Sequence, residues 1–306
     1  MRVAILDDYQ DCVRGLSCFS RLAGHQVTVL TERAPSLDVL THRLAGVEAL
    51  VLIRERTKVT AELLARLPGL RLIVQTGRAG SHLDLAACEA RGVTVTTGTG
   101  NPHAPAELTW ALVLAASRRV VTENAALLRG SWQTTLGRTV RGHTLGVLGY
   151  GRIGALVAGF GRAFGMRVQA WGREGSRERA AKDGVAFAES REALFASSDV
   201  VSVHLKVAPE TRGAIRLEDL RTMPAGSLFV NTSRAELVAP GALLAALDEG
   251  RPAMAALDVF EHEPSTDDPL LRHPSVLATP HLGYVERDTY EAYFTEAFDQ
   301  VNAFAG

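Results

Sequence analysis

Leu145-Gly146-Val147-Leu148-Gly149-Tyr150-Gly151-Arg152-Ile153-Gly154 joins a short apolar run to a glycine-rich turn, and the residues that follow, Ile153–Phe164, have the apolar spacing of an amphipathic helix. The strand–turn–helix order is what gives the GxGxxG pattern its meaning. Glycines allow a tight turn and let the backbone approach a pyrophosphate closely. The first helical turn then offers unpaired N–H groups and a positive partial charge. Gly149, Tyr150, Gly151, Arg152, Ile153 and Gly154 are therefore candidate dinucleotide-binding residues.

The next strand bears on which dinucleotide. NAD sites usually carry an acidic residue at its end, roughly 20 residues on, to bind the ribose 2′-hydroxyl. After Val168-Gln169-Ala170-Trp171 that place falls to Gly172, followed by Arg173, with Arg177 nearby. A glycine leaves room for a 2′-phosphate that a carboxylate would repel, and a guanidinium can pair with it. These residues favour NADP over NAD.

Working outward, β-branched apolar runs alternate with longer helical patterns. Strands are expected at Val3–Leu6, Val27–Leu30, Ala49–Ile53, Leu72–Val74 and Thr94–Val95 before the glycine turn. Beyond Gly142 they are expected at Leu145–Leu148, Val168–Trp171, Val200–Val203, Leu228–Val230, Ala255–Leu257 and Val276–Ala278. The runs lack polar alternation, as strands buried on both faces do, so the class is α/β with parallel sheets. Ala61–Leu67, Leu85–Ala90 and Arg287–Phe304 read as helices. A single long helix is expected from about Pro105 to Arg129, after the turn-rich Gly98-Thr99-Gly100-Asn101-Pro102.

The 306 residues allow one large domain or two medium ones, and 46% apolar with 22% charged residues is ordinary globular composition. A formal net charge of -1 gives no general affinity for nucleic acid or anionic lipid. Leu108–Ala116, the longest apolar stretch, falls well short of the roughly 20 residues that span a bilayer. Met1–Gln10 has no signal-peptide core. Cys12, Cys18 and Cys88 show no metal-ligand spacing, so a reduced, cytoplasmic protein without a metal is expected.

Three segments follow the glycine turn in order: Asn231-Thr232-Ser233-Arg234, Leu257-Asp258-Val259-Phe260-Glu261-His262-Glu263-Pro264, and Thr279-Pro280-His281-Leu282-Gly283. Together with Leu52-Ile53-Arg54, Ala106-Glu107-Leu108-Thr109 and Ala163–Val168 they resemble the D-2-hydroxyacid dehydrogenase family. That family includes phosphoglycerate dehydrogenases, glyoxylate/hydroxypyruvate reductases and D-lactate dehydrogenases. The resemblance implies a Rossmann cofactor domain and a flavodoxin-like substrate domain, both doubly wound. It implies that Arg234 holds the substrate carboxylate, that His281 is the acid/base, and that Glu263 pairs with it. Asp258 would lie near the nicotinamide carboxamide, Thr232 beside the cofactor, and Arg54 toward the substrate.

The chemistry asks for these residue types in any case. Reduction of a 2-keto acid leaves charge on oxygen, and a histidine titrating near neutrality can supply the proton. A carboxylate favours and orients the imidazolium, and a guanidinium grips a planar carboxylate with two parallel hydrogen bonds.

The chain departs from the family in four places. Arg78 and Ala79, beside Gly80, occupy a loop whose amides bind the substrate carboxylate in relatives. Lys206 stands where a proline is common and could meet a 2′-phosphate. Tyr284 replaces a small residue, where it would narrow the pocket or pack on His281. No regulatory extension follows the last helix.

The expected substrate domain is 1–99 with 282–306, and the cofactor domain is 100–281. A cleft that closes by a hinge is expected at the crossings between them. A homodimer through the Pro105–Arg129 helix is also expected, with a small 2-keto or 2-hydroxy acid as ligand and neither nucleic acid nor membrane as partner. A corepressor-like nucleotide sensor would share the fold, but the full Arg/Glu/His set favours an enzyme. Formate dehydrogenases pair the histidine with glutamine, unlike Glu263.

Overall fold

The computed structural model describes residues 1–306. They form two compact units, residues 1–101 with 285–306, and residues 102–284.

Unit 1 contains strands β1 (Arg2–Leu6), β2 (Gln26–Val29), β3 (Ala49–Leu52), β4 (Leu72–Gln75) and β5 (Thr94–Thr97). Helices α1 (Leu37–Arg43), α2 (Ala61–Ala65) and α3 (Leu85–Ala90) alternate with them. The sheet is parallel, in the order β2-β1-β3-β4-β5, which is the flavodoxin-like arrangement. Every side chain of β3 and β4 is buried, Gln75 included, as in strands covered on both faces. Ser36, Thr60 and Asp84 each cap a helix by accepting a backbone N–H three residues on.

Unit 2 begins with α4 (His103–Ser117) and α5 (Val120–Leu128). Strands β6 (Thr144–Leu148), β7 (Arg167–Trp171), β8 (Ala186–Phe187), β9 (Val200–Val203), β10 (Leu228–Asn231), β11 (Met254–Leu257) and β12 (Val276–Ala278) follow. Between them run α6 (Arg152–Ala163), α7 (Glu174–Lys182), α8 (Arg191–Ser197), α9 (Leu217–Thr222), α10 (Ala242–Asp248) and α11 (Pro269–Arg272). The parallel order β12-β11-β10-β9-β6-β7-β8 winds outward in both directions from β6. The switch point therefore falls between β6 and β9, where doubly wound sheets bind ligands. One face of the sheet is covered by α4, α6 and α7, and the other by α8, α9 and α10. The last helix, α12 (Arg287–Ala305), returns to unit 1, where Phe298 meets Phe19 edge-on with centroids 6.2 Å apart.

The long helix expected over Pro105–Arg129 is two helices. Arg119 has left-handed backbone, φ +56°, which ends the first. The cause is the chain returning alongside: Arg138 N–H donates to the Ser117 carbonyl at 2.8 Å. Gly137 packs so closely there that a Cβ would stand 2.9 Å from the Arg118 Cα. The two-residue strand β8 was also missed, because two residues carry no periodicity.

Phe229, at the centre of β10, is fully buried among the α8–α10 side of the core. Phe229→Ala should cost about 3–5 kcal/mol of stability in denaturant titration. Replacing the exposed Lys58 by alanine should move it by less than about 0.5 kcal/mol.

Candidate active site

The glycine turn lies at the carboxyl end of β6, as its sequence implies. Gly149 has φ +97°, and a Cβ there would stand 2.7 Å from the His204 carbonyl oxygen. A Cβ on Gly154 would run into the Gly149 carbonyl. Around Gly151, by contrast, added bulk would meet only open space, and no side chain caps α6 at this N-terminus. The start of α6 is thus uncrowded, and the first backbone N–H groups of a helix are the donors a pyrophosphate needs. The residues fit a dinucleotide.

Tyr150 belongs to this loop only by its backbone. Its ring is buried in the core and its hydroxyl donates to Asp183 at 3.0 Å. Burial, then the Asp183 carboxylate, pushes the phenol up to about 12. Gly172 packs against the turn, and Arg173 pairs with Glu210 at 3.2 Å. Lys206 is exposed. His204, on the same loop, is brought by burial to about 4 and stays neutral, with Nε2 2.9 Å from Ser202 Oγ.

At the carboxyl end of β10 the Asn-Thr-Ser-Arg segment is cross-braced. Asn231 accepts the Ser233 N–H and donates to the Arg234 carbonyl, while Ser233 Oγ donates to the Val203 carbonyl. Thr232 Oγ1 lies 2.6 Å from Thr109 Oγ1 on α4, which ties the segment to that helix. This bracing fixes where Arg234 starts, and its guanidinium charge reaches Glu263.

His281 Nδ1 and Glu263 Oε2 are 2.5 Å apart. Burial pushes the Glu263 carboxyl up, but the hydrogen bond and charge of His281, the Phe260 N–H and Arg234 outweigh it and leave the group below its ordinary range. Glu263 is thus an ionised acceptor for Nδ1, and Nε2 is the nitrogen left for proton transfer. Tyr284 packs on the imidazole edge-on, with centroids 5.4 Å apart at 71°.

Asp258 does more than its sequence position suggested. It is fully buried, and it accepts Thr279 Oγ1 at 2.6 Å, Leu282 N–H at 2.7 Å and Gly283 N–H at 2.9 Å. Burial raises its carboxyl above the usual range, with these donors and the His281 charge pulling the other way. The turn it clamps holds His281 at φ +52°, a left-handed conformation rare for a non-glycine residue. Sequence reasoning named Asp258 but not this role. The signal available was an acid one residue past a buried strand, facing Thr279.

In unit 1 the strand ends carry Arg54 at φ +52°, whose Nη1 donates to the Thr76 carbonyl at 3.1 Å and whose guanidinium lies 6.0 Å from the Tyr293 ring centroid. Arg78 and Ala79 are exposed, and Gly80 lies against the Glu55 carboxylate. The sequence did not single out Asp7, at φ +60°, whose carbonyl accepts Arg56 Nη1 at 2.6 Å; Arg56 also lies over the Tyr9 ring.

Residues 110–283 match the family described as D-isomer specific 2-hydroxyacid dehydrogenase, NAD binding domain. A D-3-phosphoglycerate dehydrogenase of Mycobacterium bovis is 39% identical over 92% of this chain and 54% of its own length. The chain thus spans about half of that relative. A glyoxylate reductase of Aeropyrum pernix is 37% identical over 89% of this chain and 84% of its own. The crystal structure of a phosphoglycerate oxidoreductase from Vibrio cholerae superposes with a TM-score of 0.97 at 50% identity, covering 100% of this chain and 99% of that one. The chain belongs to the D-isomer specific 2-hydroxyacid dehydrogenase family.

Proposed function

We propose that this protein interconverts 2-keto acids and D-2-hydroxy acids with a nicotinamide dinucleotide. The observation that carries the reading is the His281–Glu263 contact, beside the Arg234 charge and in the same unit as an open GxGxxG helix start. The nicotinamide, when bound, supplies the hydride that the substrate carbon accepts. Arg234 grips the carboxylate with its planar fork. His281 Nε2 delivers the proton to the carbonyl oxygen, and ionised Glu263 favours the imidazolium before that transfer. Asp258 keeps the histidine in place.

Gly172 and Arg173 support a preference for NADPH over NADH. The free thiols of Cys12, Cys18 and Cys88 suit a reducing, cytoplasmic setting. No helix is long and apolar enough to cross a membrane, and the net charge of -1 gives no electrostatic reason for nucleic acid as a partner.

The chain is proposed to act as a homodimer through α5 and the segment after it. Leu136 is 96% exposed, Leu128 81% and Trp132 77%, with Val120, Val121 and Leu127 beside them in sequence. Monomers rarely leave so many large apolar side chains in water. Glu123 ties this segment to α5 by accepting the N–H and hydroxyl of both Thr134 and Thr135. The Thr135 hydroxyl and the other donors bring its carboxyl down to about 2.

A panel of glyoxylate, hydroxypyruvate, pyruvate, phosphohydroxypyruvate and bulkier keto acids, followed by nicotinamide absorbance with NADH and NADPH, tests the activity. On the best substrate, His281→Ala should lower kcat by about 10²–10⁴-fold with coenzyme affinity nearly unchanged. Arg234→Lys should raise KM for the keto acid and lower kcat, because the fork is lost. Near-normal turnover by His281→Ala would remove the histidine from the reaction.

The lowered carboxyl of Glu263 sets a pH dependence. Its pairing contributes stability that is complete above the ordinary carboxylate value of 4.5 and is lost as pH falls through the lower folded value. The Tm advantage of the wild type over Glu263→Gln should therefore disappear on acidification through that window. An advantage that persisted into strong acid would contradict the ionised pair.

Leu136→Asp combined with Trp132→Ala should shift the protein from dimer to monomer in light scattering. A dimer unaffected by the pair of changes would place the interface elsewhere.

A further inference from the structure

The loops leaving β7, β6 and β9 lie side by side at the carboxyl edge of the unit 2 sheet. Gly149 packs between the other two. A Cβ on it would stand 2.9 Å from the Leu205 backbone nitrogen, and a Cβ on Gly172 would stand 3.6 Å from the Gly149 Cα. One outer loop carries Arg173 and the other Glu210. Their side chains meet, Arg173 Nη1 lying 3.2 Å from Glu210 Oε1. The pair bridges the two outer loops. Nearby guanidinium groups are engaged elsewhere: that of Arg177 lies 4.4 Å from the Phe187 ring centroid, and Arg179 Nε donates to the Tyr150 carbonyl at 2.9 Å.

We propose that Glu210 is a coenzyme-discriminating residue, which pairs with Arg173 and so opposes the 2′-phosphate that Arg173 would attract. The inference rests on reading the glycine turn as a nicotinamide dinucleotide site. Related sites place an acid at the end of the second strand. Here that place is Gly172, and an added Cβ would stand 2.7 Å from Ser176 Oγ and 3.0 Å from its Cβ, so a side chain at 172 needs Ser176 to move. The acid is instead supplied by a loop about 40 residues further along the chain, opposite Arg173.

The sign follows from charge. A 2′-phosphate must displace Glu210 from Arg173 and then lie near a carboxylate. A ribose 2′-hydroxyl is neutral and encounters neither cost. Removing the Glu210 charge frees Arg173 and strengthens NADPH binding, while NADH binding moves little. Because both side chains are more than half exposed, the effect is that of one or two screened surface interactions, about three- to tenfold.

The test titrates the full-length protein with NADPH and with NADH, followed by nicotinamide fluorescence at low ionic strength. Wild type, Glu210→Gln, Arg173→Ala and the double variant are compared. Glu210→Gln should raise the ratio of the NADH Kd to the NADPH Kd about three- to tenfold over wild type. The gain should shrink in about 0.5 M salt and be smaller in the Arg173→Ala background. An unchanged ratio with tight binding of either coenzyme overturns the role of Glu210 alone. A wild type that prefers NADH, with Glu210→Gln still shifting toward NADPH, overturns the NADPH preference and upholds the role of Glu210. Binding of neither coenzyme by wild type overturns the reading of the glycine turn and this inference with it.

Discussion

The candidate active site depends on a buried carboxylate. Asp258 has no exposed surface, yet it accepts one hydroxyl and two backbone N–H groups from the turn that carries His281. A backbone N–H can only donate, so two of the three contacts require an acceptor at 258 whatever its protonation. The left-handed backbone of His281 costs on the order of 1–3 kcal/mol and persists only where surroundings impose it. The Asp258 contacts are those surroundings. Without them the turn would lose what imposes that backbone and, with it, the placement of the imidazole against Glu263.

A second constraint is steric. The glycine turn is pressed against the start of α6 on one side and against the His204–Leu205 backbone on the other. Side chains are excluded from both contacts, which fixes the turn without any hydrogen bond to a ligand. The middle position stays open, and no side chain caps the helix behind it. Packing thus builds the rim, and the helix terminus supplies the field. The neighbouring strands are buried on both faces, so the rim cannot shift without disturbing the core.

Much of this was legible in the sequence, for reasons that explain what was not. Parallel strands such as Ala49–Leu52 are continuous apolar runs, a signal that does not depend on tertiary context. GxGxxG after a strand specifies a turn by sterics alone. The break at Arg119 was illegible because it is imposed by residues 137 and 138, which return from elsewhere in the chain. Tyr150 falls inside the motif, and only the fold reveals that its ring points into the core and ends on Asp183. The Arg173–Glu210 pair joins two loops separated in sequence, and neither residue has a local pattern that names the other.

Two carboxylates near one histidine are moved in opposite directions, and the reason separates their roles. Asp258 is wholly buried, and burial dominates: its carboxyl rises despite three donors. Glu263 is partly exposed, and the imidazole contact with the Arg234 charge outweighs its smaller burial, so its carboxyl falls. A site that divides two acids in this way commonly divides their functions. Asp258 grips the backbone on either side of a strained turn and is suited to holding geometry. Glu263 grips the ring nitrogen itself, keeps its charge, and is suited to stabilising an imidazolium. The same residue type thus serves structure in one place and electrostatics in the other, and solvent exposure together with the identity of the donor decides which.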